Sequence, residues 1–382
     1  MPEAVIVSAL RTPIGTAKKG TLRDTDAYAL ADHVVRAALE NIPADLGASI
    51  DDVILGEGLY GGGVVARHAA ITAGLGSVPG LAVNRHCAAG QAAVQSAAGS
   101  IRAGMDQLIL AGGVNSASTS PRFTRRAEEE MVDWFPPTHP NRPDAPNMDM
   151  SITVGWNAAV KAGVSREEMD GWALGSHRKA IQAIDEGRFK HEIVPIVTPH
   201  GLFEVDEHPR RDTSLDKLAA LKPLHPEIEG FSITAGNACG ANDGAALLGI
   251  ASDRLGLPAL ATIRSWASVG VDPASTGLAP VEVIPKALAR ARLSLADVDL
   301  FEINEAFASM CVATIKLLDL DPEKVNPSGS GCSLGHPVAA TGARMLVTLV
   351  HELRRRGGGI GVAAMCAGGG MGSATVIEVP AP

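Results

Sequence analysis

The chain of 382 residues is 46% hydrophobic and 20% charged, which excludes extensive disorder, and its formal net charge of −9 excludes the basic footprint that nucleic-acid binders carry. Its length predicts two or three domain-sized units. An aromatic share of only 3% leaves Ala, Gly, Val and Leu to build the core, which suits close packing of helices on a sheet.

In chain order, Ala4-Val5-Ile6-Val7-Ser8-Ala9 reads as a buried strand. The turn Arg11-Thr12-Pro13-Ile14-Gly15 follows, then an amphipathic helix from Ala27 to Leu39. Asp52 to Gly56 reads as a second strand, 66–75 as a helix, and Gln107 to Gly113 as another strand. Between the last two lies VNRHCAAGQAAV, which sets Cys87 at the start of an Ala-rich helix. Strands alternating with helices predict an α/β layer architecture with a mostly parallel sheet. From about 119 to 235 charged runs and the prolines of WFPPTHPNRPDAP break this rhythm, and the segment reads as a loop region inserted over the core. One helix is clear within it, opening on the capping-box pattern Ser165-Arg166-Glu167-Glu168.

From about 256 the first pattern returns. The stretch from Val83 to Gly113 and the stretch from Val325 to Gly370 share an order: a Val-Asn lead, a turn, an Ala-containing helix, an apolar strand and glycines. This predicts two similar halves, 1–255 and 256–382, facing each other.

The five cysteines, Cys87, Cys239, Cys311, Cys332 and Cys366, show no zinc-ligand spacing, so free thiols in a reducing compartment are expected. The start MPEAVIVSALRTPIG lacks the basic and apolar regions of a secretory signal, and the tail VIEVPAP is no peroxisomal address. No apolar run reaches the roughly 18–20 residues of a membrane span. A cytoplasmic protein without membrane or nucleic-acid partners is the expectation.

Four stretches carry chemistry. A cysteine beside a helix start meets unpaired N–H groups and the positive end of the helix dipole, which favour thiolate, so Cys87 is a candidate nucleophile. Glu302-Ile303-Asn304-Glu305-Ala306-Phe307-Ala308 puts two carboxylates and an amide at a strand end. In Gly335-His336-Pro337, a helix starting at Val338 would leave His336 at its N-terminus. Cys366 sits where the strand Ile360 to Ala364 runs into Gly368-Gly369-Gly370. Singly, Asn304 reads as well as a turn-capping amide, His336 as a core histidine, and Cys87 and Cys366 as small buried residues.

Jointly, these stretches closely resemble the thiolase family over nearly the whole chain: the Cys87 helix start, NEAFA, GHPVAATGAR and CAGGGMG, with RTPIG, TAGNACGANDGAA and VDPASTGLAP in support. The resemblance implies a thiolase-like fold, two similar βαβαβαββ halves in a layered α-β-α-β-α core. It implies cleavage of 3-ketoacyl-CoA by CoA, or the reverse Claisen condensation. Coenzyme A is then a substrate, and no metal or other cofactor is required. By position, the resemblance makes Cys87 the acyl-carrying nucleophile, His336 its base and Cys366 the second acid/base. The backbone N–H groups of Cys87 and Gly368 would hold one oxyanion, and His336 with a water fixed by Asn304 the other. CoA and acyl-CoA would meet Arg210, Ala235, Cys239 and Phe307, with Arg210 in a cationic cluster that includes Arg211, Lys217 and Lys222. A homodimer or homotetramer is implied as well.

The chain departs from the family pattern at Cys239, where a serine is usual, at Met150, where short-chain enzymes place a histidine, and at Ala88-Ala89 after the nucleophile. Two other classes fit part of the pattern. A cysteine-dependent acyl-CoA hydrolase needs only Cys87 and His336, and a non-catalytic acyl-CoA or lipid carrier needs neither.

Overall fold

A computed structural model describes residues 1–43, 47, 49–58 and 63–381; Pro382, the end of the tail read above, lies outside them. Its strands in chain order are β1 (Ala4–Arg11), β2 (Gly15–Thr16), β3 (Asp52–Gly56), β4 (Gly80–Val83), β5 (Leu108–Ser116), β6 (Thr124–Ala127), β7 (Glu130–Asp133), β8 (Ile196–Thr198), β9 (Gly201–Phe203), β10 (Asn242–Ser252), β11 (Ala261–Gly270), β12 (Leu300–Ile303), β13 (Gly359–Ala367) and β14 (Met371–Val379). The main sheet runs β12-β13-β14-β11-β1-β10-β5-β3-β4, with β2 on β10. Its two halves join where Val5 and Ile6 of β1 pair with Thr262 and Ala261 of β11.

The expected mostly parallel sheet is not what forms. Among the strands of the described residues only β3 with β4, β3 with β5, and β12 with β13 pair in parallel. The centre is antiparallel: β1 with β10, β10 with β5, and β11 with β14 all pair that way over long connections, and only β13 with β14 does so across a short turn, Gly368–Gly370.

The helices Ala89–Ala103 and Thr341–Arg355 pack on each other and touch strands of both halves, which makes them the middle layer. Their approach depends on small residues. A Cβ on Gly90 would stand 2.6 Å from the Ala339 carbonyl oxygen, and one on Gly342 2.7 Å from the Gln91 nitrogen. The outer layers are Ala27–Glu40 with Val65–Thr72 on one half, and Ala279–Ala291 with Ala308–Leu318 on the other. In the first of these, Asp26 caps the helix by accepting from the Ala29 N–H at 2.8 Å, while Leu30, Ala31, Val34, Val35 and Ala38 turn inward at helical spacing.

The halves repeat. Val83 ends β4 beside β3, and Val325 makes the matching parallel bridge to Phe301 of β12. The asparagine after each valine ties its strand end to the neighbouring one: Asn84 Nδ2 donates to the Gly58 carbonyl at 3.1 Å and Asn326 Nδ2 to the Ile303 carbonyl at 2.8 Å.

The region read as an inserted loop is more ordered than that. It holds the hairpins β6–β7 and β8–β9, the helix Asn157–Ala162, and the 20-residue helix Arg166–Asp185 with the expected Ser165–Glu168 capping box. It is anchored by Arg11, fully buried, which donates to Asp206 at 2.8 and 2.9 Å and to Glu192 at 2.6 Å. Among the described residues no helix is long and apolar enough to cross a membrane.

Candidate active site

The residues 237–242 stitch the site together. The Ala308 N–H donates to the Asn237 carbonyl at 2.8 Å, Ala238 bridges Phe307, and the Cys239 N–H donates to the Ala306 carbonyl at 3.0 Å. Ala241 bridges His336, whose own N–H donates to Asn242 Oδ1 at 2.9 Å. One extended segment thus brings NEAFA and GHP to the same place.

Cys87 does not sit inside its helix. The helix begins at Ala89, and Cys87 lies in the turn before it, after His86 in the left-handed region at φ 46°. That conformation costs a non-glycine residue energy, and here Asn84 Oδ1 accepts the His86 N–H at 2.9 Å to hold it. The residue is half-buried and its sulfur is enclosed. Burial raises the Cys87 thiol above its ordinary range, against the downward pull of the Gly368 N–H and its own N–H. The expectation of a resting thiolate is therefore corrected: desolvation outweighs the helix end. The two N–H groups that lie against the sulfur are the pair to which the resemblance gives the oxygen of the acyl-enzyme intermediate.

His336 also precedes its helix by more than expected. The helix starts at Thr341, and residues 337–340 form a turn. The imidazole is buried, and burial, reinforced by the charge of Arg344, pushes it down to about 3. It is thus neutral, with one nitrogen protonated. Nδ1 lies 2.6 Å from Thr341 Oγ1, and Thr341 sends its single hydroxyl proton to the Pro337 carbonyl at 2.9 Å. Assigned this way, Nδ1 carries the proton and Nε2 is a free base. Asn304 Nδ2 stands 3.5 Å from that Nε2, and Asn304 Oδ1 is buried without a protein partner.

Cys366, next to last in β13, is buried, and its thiol donates to Met310 Sδ at 3.5 Å. Burial raises it well above the usual thiol range, and the nearby sulfurs of Cys87 and Cys239 add to this. Burial likewise pushes Cys239 up to about 12, with Cys87 contributing. Three thiols, all protonated at rest, therefore share one enclosure. A Cβ on Gly368 would meet Thr138 Cγ2 at 3.0 Å and Met150 Sδ at 3.8 Å, so the 138–150 segment roofs the glycine turn.

Family models for the N-terminal domain of thiolase and the C-terminal domain of thiolase match residues 4–254 and 257–379. The chain belongs to the thiolase family. It is 41% identical to a probable acetyl-CoA acetyltransferase of Escherichia coli, covering 99% of each chain. It is 39% identical to a 3-ketoacyl-CoA thiolase of Bacillus subtilis, over 99% of this chain and 100% of the relative. The crystal structure of Bacillus anthracis acetyl-CoA acetyltransferase superposes with a TM-score of 0.89 at 38% identity, covering 99% of each chain.

In this thiolase the two carboxylates of the 302–308 stretch, Glu302 and Glu305, are buried and taken up by neighbouring side chains and backbone. Glu305 accepts from Trp172, Ser176, Asn326 and the Cys332 N–H, and Glu302 pairs with buried Arg344 at 3.0 Å. Phe307 is buried beside Gly155. Ala235 is exposed, and so is Arg210, whose N–H donates to His177 Nδ1 at 3.1 Å; among the described residues no hydrogen bond or ion pair joins either to Cys87. Of the expected cationic cluster, Arg211 is paired with Asp185 and Lys217 with Asp212, which leaves Arg210 and Lys222 outside any ion pair among the described residues. Sequence reasoning missed Thr341, Asn242, Thr138 and Met310. Only Thr341, five residues after His336 in an otherwise apolar helix start, offered a signal.

Proposed function

We propose that the protein transfers acyl groups between CoA thioesters, cleaving 3-ketoacyl-CoA with CoA or running the reverse condensation, through an acyl-enzyme on Cys87. The observation that carries this reading is an enclosed thiol facing two N–H groups, together with a neutral imidazole whose Nε2 carries no proton and lies 3.5 Å from the Asn304 amide. It is supported by relatives named acetyl-CoA acetyltransferase and 3-ketoacyl-CoA thiolase.

In the cleavage direction, His336 Nε2 takes the Cys87 proton as the sulfur attacks the 3-keto carbon. The N–H groups of Cys87 and Gly368 hold the resulting oxyanion. As the oxyanion collapses, the bond between C2 and C3 breaks and its electron pair passes to the acetyl-CoA enolate. Cys366 then gives its proton to the enolate carbon. His336, now protonated on Nε2, can donate to the enolate oxygen, alongside a water held by Asn304. Free CoA, losing its proton to the Cys366 thiolate, attacks the acyl-Cys87 carbonyl. The Cys87 sulfur leaves and recovers its proton from His336. No thiol has to be ionised at rest, which suits three buried sulfurs.

CoA would enter past Arg210, Ala235 and Cys239 and bring its acyl group to Phe307. The same reading divides the chain at 1–255 and 256–382, with 119–235 inserted, and makes it a cytoplasmic homodimer or homotetramer that needs no bound cofactor. Five unpaired cysteines support the compartment, and the sheet edge at β4, where Leu81 is exposed, supports an oligomer.

Intact-mass measurement after mixing with acetoacetyl-CoA and longer 3-ketoacyl-CoAs tests the reading. An acyl mass that maps to Cys87 and disappears on adding CoA is expected; a chain that stays unmodified with every member would sink it.

A further inference from the structure

The cations that sequence reasoning gave to CoA all came from 208–222, yet the turn nearest the stitched segment lies at the other end of the chain. Residues 15–21 follow β1. Thr16 and Gly15 pair with Asn242 and Asp243 of β10, and the Ala17 N–H donates to the Ala241 carbonyl at 3.0 Å, between Cys239 and His336. The next two residues, Lys18 and Lys19, are both exposed.

This turn is built rather than loose. Lys18 adopts φ 66°, and its N–H donates to Ser118 Oγ at 2.7 Å. The Glu207 carboxylate accepts from the N–H groups of Thr16 at 2.7 Å and Thr21 at 3.0 Å, and from the Thr21 hydroxyl at 2.8 Å. A Cβ on Gly20 would overlap Glu207 Oε1, so the staple fits only glycine there. Glu207 thereby fixes the lysine turn to the segment that carries His208 and Arg210. His208 in turn lies against Gly240, where an added Cβ would come within 2.5 Å of its ring. His208 is pushed down to about 4 by burial and then by the charges of Arg210 and Lys19, as expected where those cations lie close.

The carboxylates beside these cations form no ion pair with them among the described residues: Asp212 pairs with Lys217, and Glu207 and Asp243 accept from neutral groups and keep their charge. Glu207 faces the turn's backbone, and Asp243 accepts from the Ser118 hydroxyl and N–H at 2.5 and 3.0 Å. Neither Lys18, Lys19 nor Arg210 enters an ion pair among the described residues, whereas Arg211 and Lys217 do. Three exposed cations without an ion-pair partner among the described residues, Lys18, Lys19 and Arg210, therefore outnumber Glu207 and Asp243 beside the segment that carries Cys239. An acidic protein gains little from such a patch unless a polyanion comes there.

We propose that the Lys18–Lys19 turn, held by Glu207 beside Arg210, is a clamp for the phosphates of the nucleotide tail of CoA. This rests on the reading of CoA as substrate. The lysines act on binding and leave the reacting carbon alone, so their effect belongs in the affinity for phosphate-bearing substrates and should weaken with salt.

The test uses the full chain with Lys18 and Lys19 both changed to Ala, and the K18R/K19R variant as rescue. Binding of CoA, 3′-dephospho-CoA and pantetheine is measured by calorimetry, and KM and kcat for CoA by thiolysis. The Ala variant is expected to bind CoA about tenfold more weakly at low salt, with kcat and pantetheine binding unchanged and the Arg variant near wild type. Full retention of 3′-dephospho-CoA affinity would assign the clamp to the 3′-phosphate, and an equal loss would assign it to the diphosphate. CoA affinity unchanged in the Ala variant, or a loss shared by pantetheine, overturns the proposal. A wild type that binds CoA with this charge dependence but never acylates Cys87 would overturn the proposed function and leave the clamp standing.

Discussion

The two halves use one topological position for two purposes. In the first, the chain leaves β4 at Val83 and reaches its middle-layer helix at Ala89, through a short turn whose residues 84–87 are half-buried or exposed. In the second, it leaves Val325 and reaches the matching helix only at Thr341, and its intervening residues are buried almost throughout. The short turn leaves the residue of the proposed nucleophile half-buried with its sulfur enclosed, and the long connection buries the proposed base. Burial suits a group that must keep one tautomer and stay neutral.

The contrast breaks most severely at the exposed turn. Cys87→Ala is expected to lower turnover by about 10⁴-fold or more and to abolish the acyl-enzyme seen by mass spectrometry, whereas Cys366→Ala should still accept the acyl group and fail at carbon protonation. Normal turnover in both variants would mean that the roles are assigned wrongly. Next in size, Asn304→Ala removes the amide beside Nε2 and should cost about 10²–10³ in kcat with little change in acylation rate. Equal losses in acylation and in the full cycle would place Asn304 in the first half-reaction instead.

Thr341 sharpens the comparison, because it acts only through the buried half. Thr341→Val keeps the shape and removes the acceptor for Nδ1, so kcat should fall about 10- to 100-fold while Thr341→Ser restores it. The pH profile separates tautomer control from a folding defect. His336 is pushed down to about 3 in the folded protein from an ordinary 6.5, so wild-type acylation should show no acid limb near 6.5. The sign for stability follows: the lowered histidine favours the native state fully above pH 6.5, and that contribution is lost as pH falls from 6.5 toward 3. A wild-type acid limb near 6.5 would show that the imidazole is solvated in the working enzyme. Smallest for chemistry is Gly90→Ala, whose Cβ would press on the Ala339 carbonyl between the two helices. It should destabilise by about 1–3 kcal/mol in urea unfolding while leaving kcat nearly intact at low temperature.

Much of this was legible one residue at a time. The strand at Ala4, the helix from Ala27, the Ser165 capping box and the repeated Val-Asn lead come from local pattern and recur in the fold. The helix starts after Cys87 and His336 were each placed too early, because the turns before them are set by long-range partners: Asn242 for His336, and Gly368 for Cys87. The antiparallel centre was misread for a related reason. Apolar strands alternating with helices look alike whichever way a strand runs, and the direction is set by which strands distant in the chain become neighbours in the sheet.

Sequence by itself determined the family, the two-fold repeat and the motifs that hold the candidate reactive side chains, since these depend on residue order and on local hydrophobic and turn chemistry. Tertiary structure alone decided the protonation of those side chains. Whether Cys87 rests as thiol, which nitrogen of His336 is free and which surface cations lack partners depend on burial and on neighbours far away in the chain. Desolvation and through-space charge act on the assembled molecule, and no short stretch of sequence carries them.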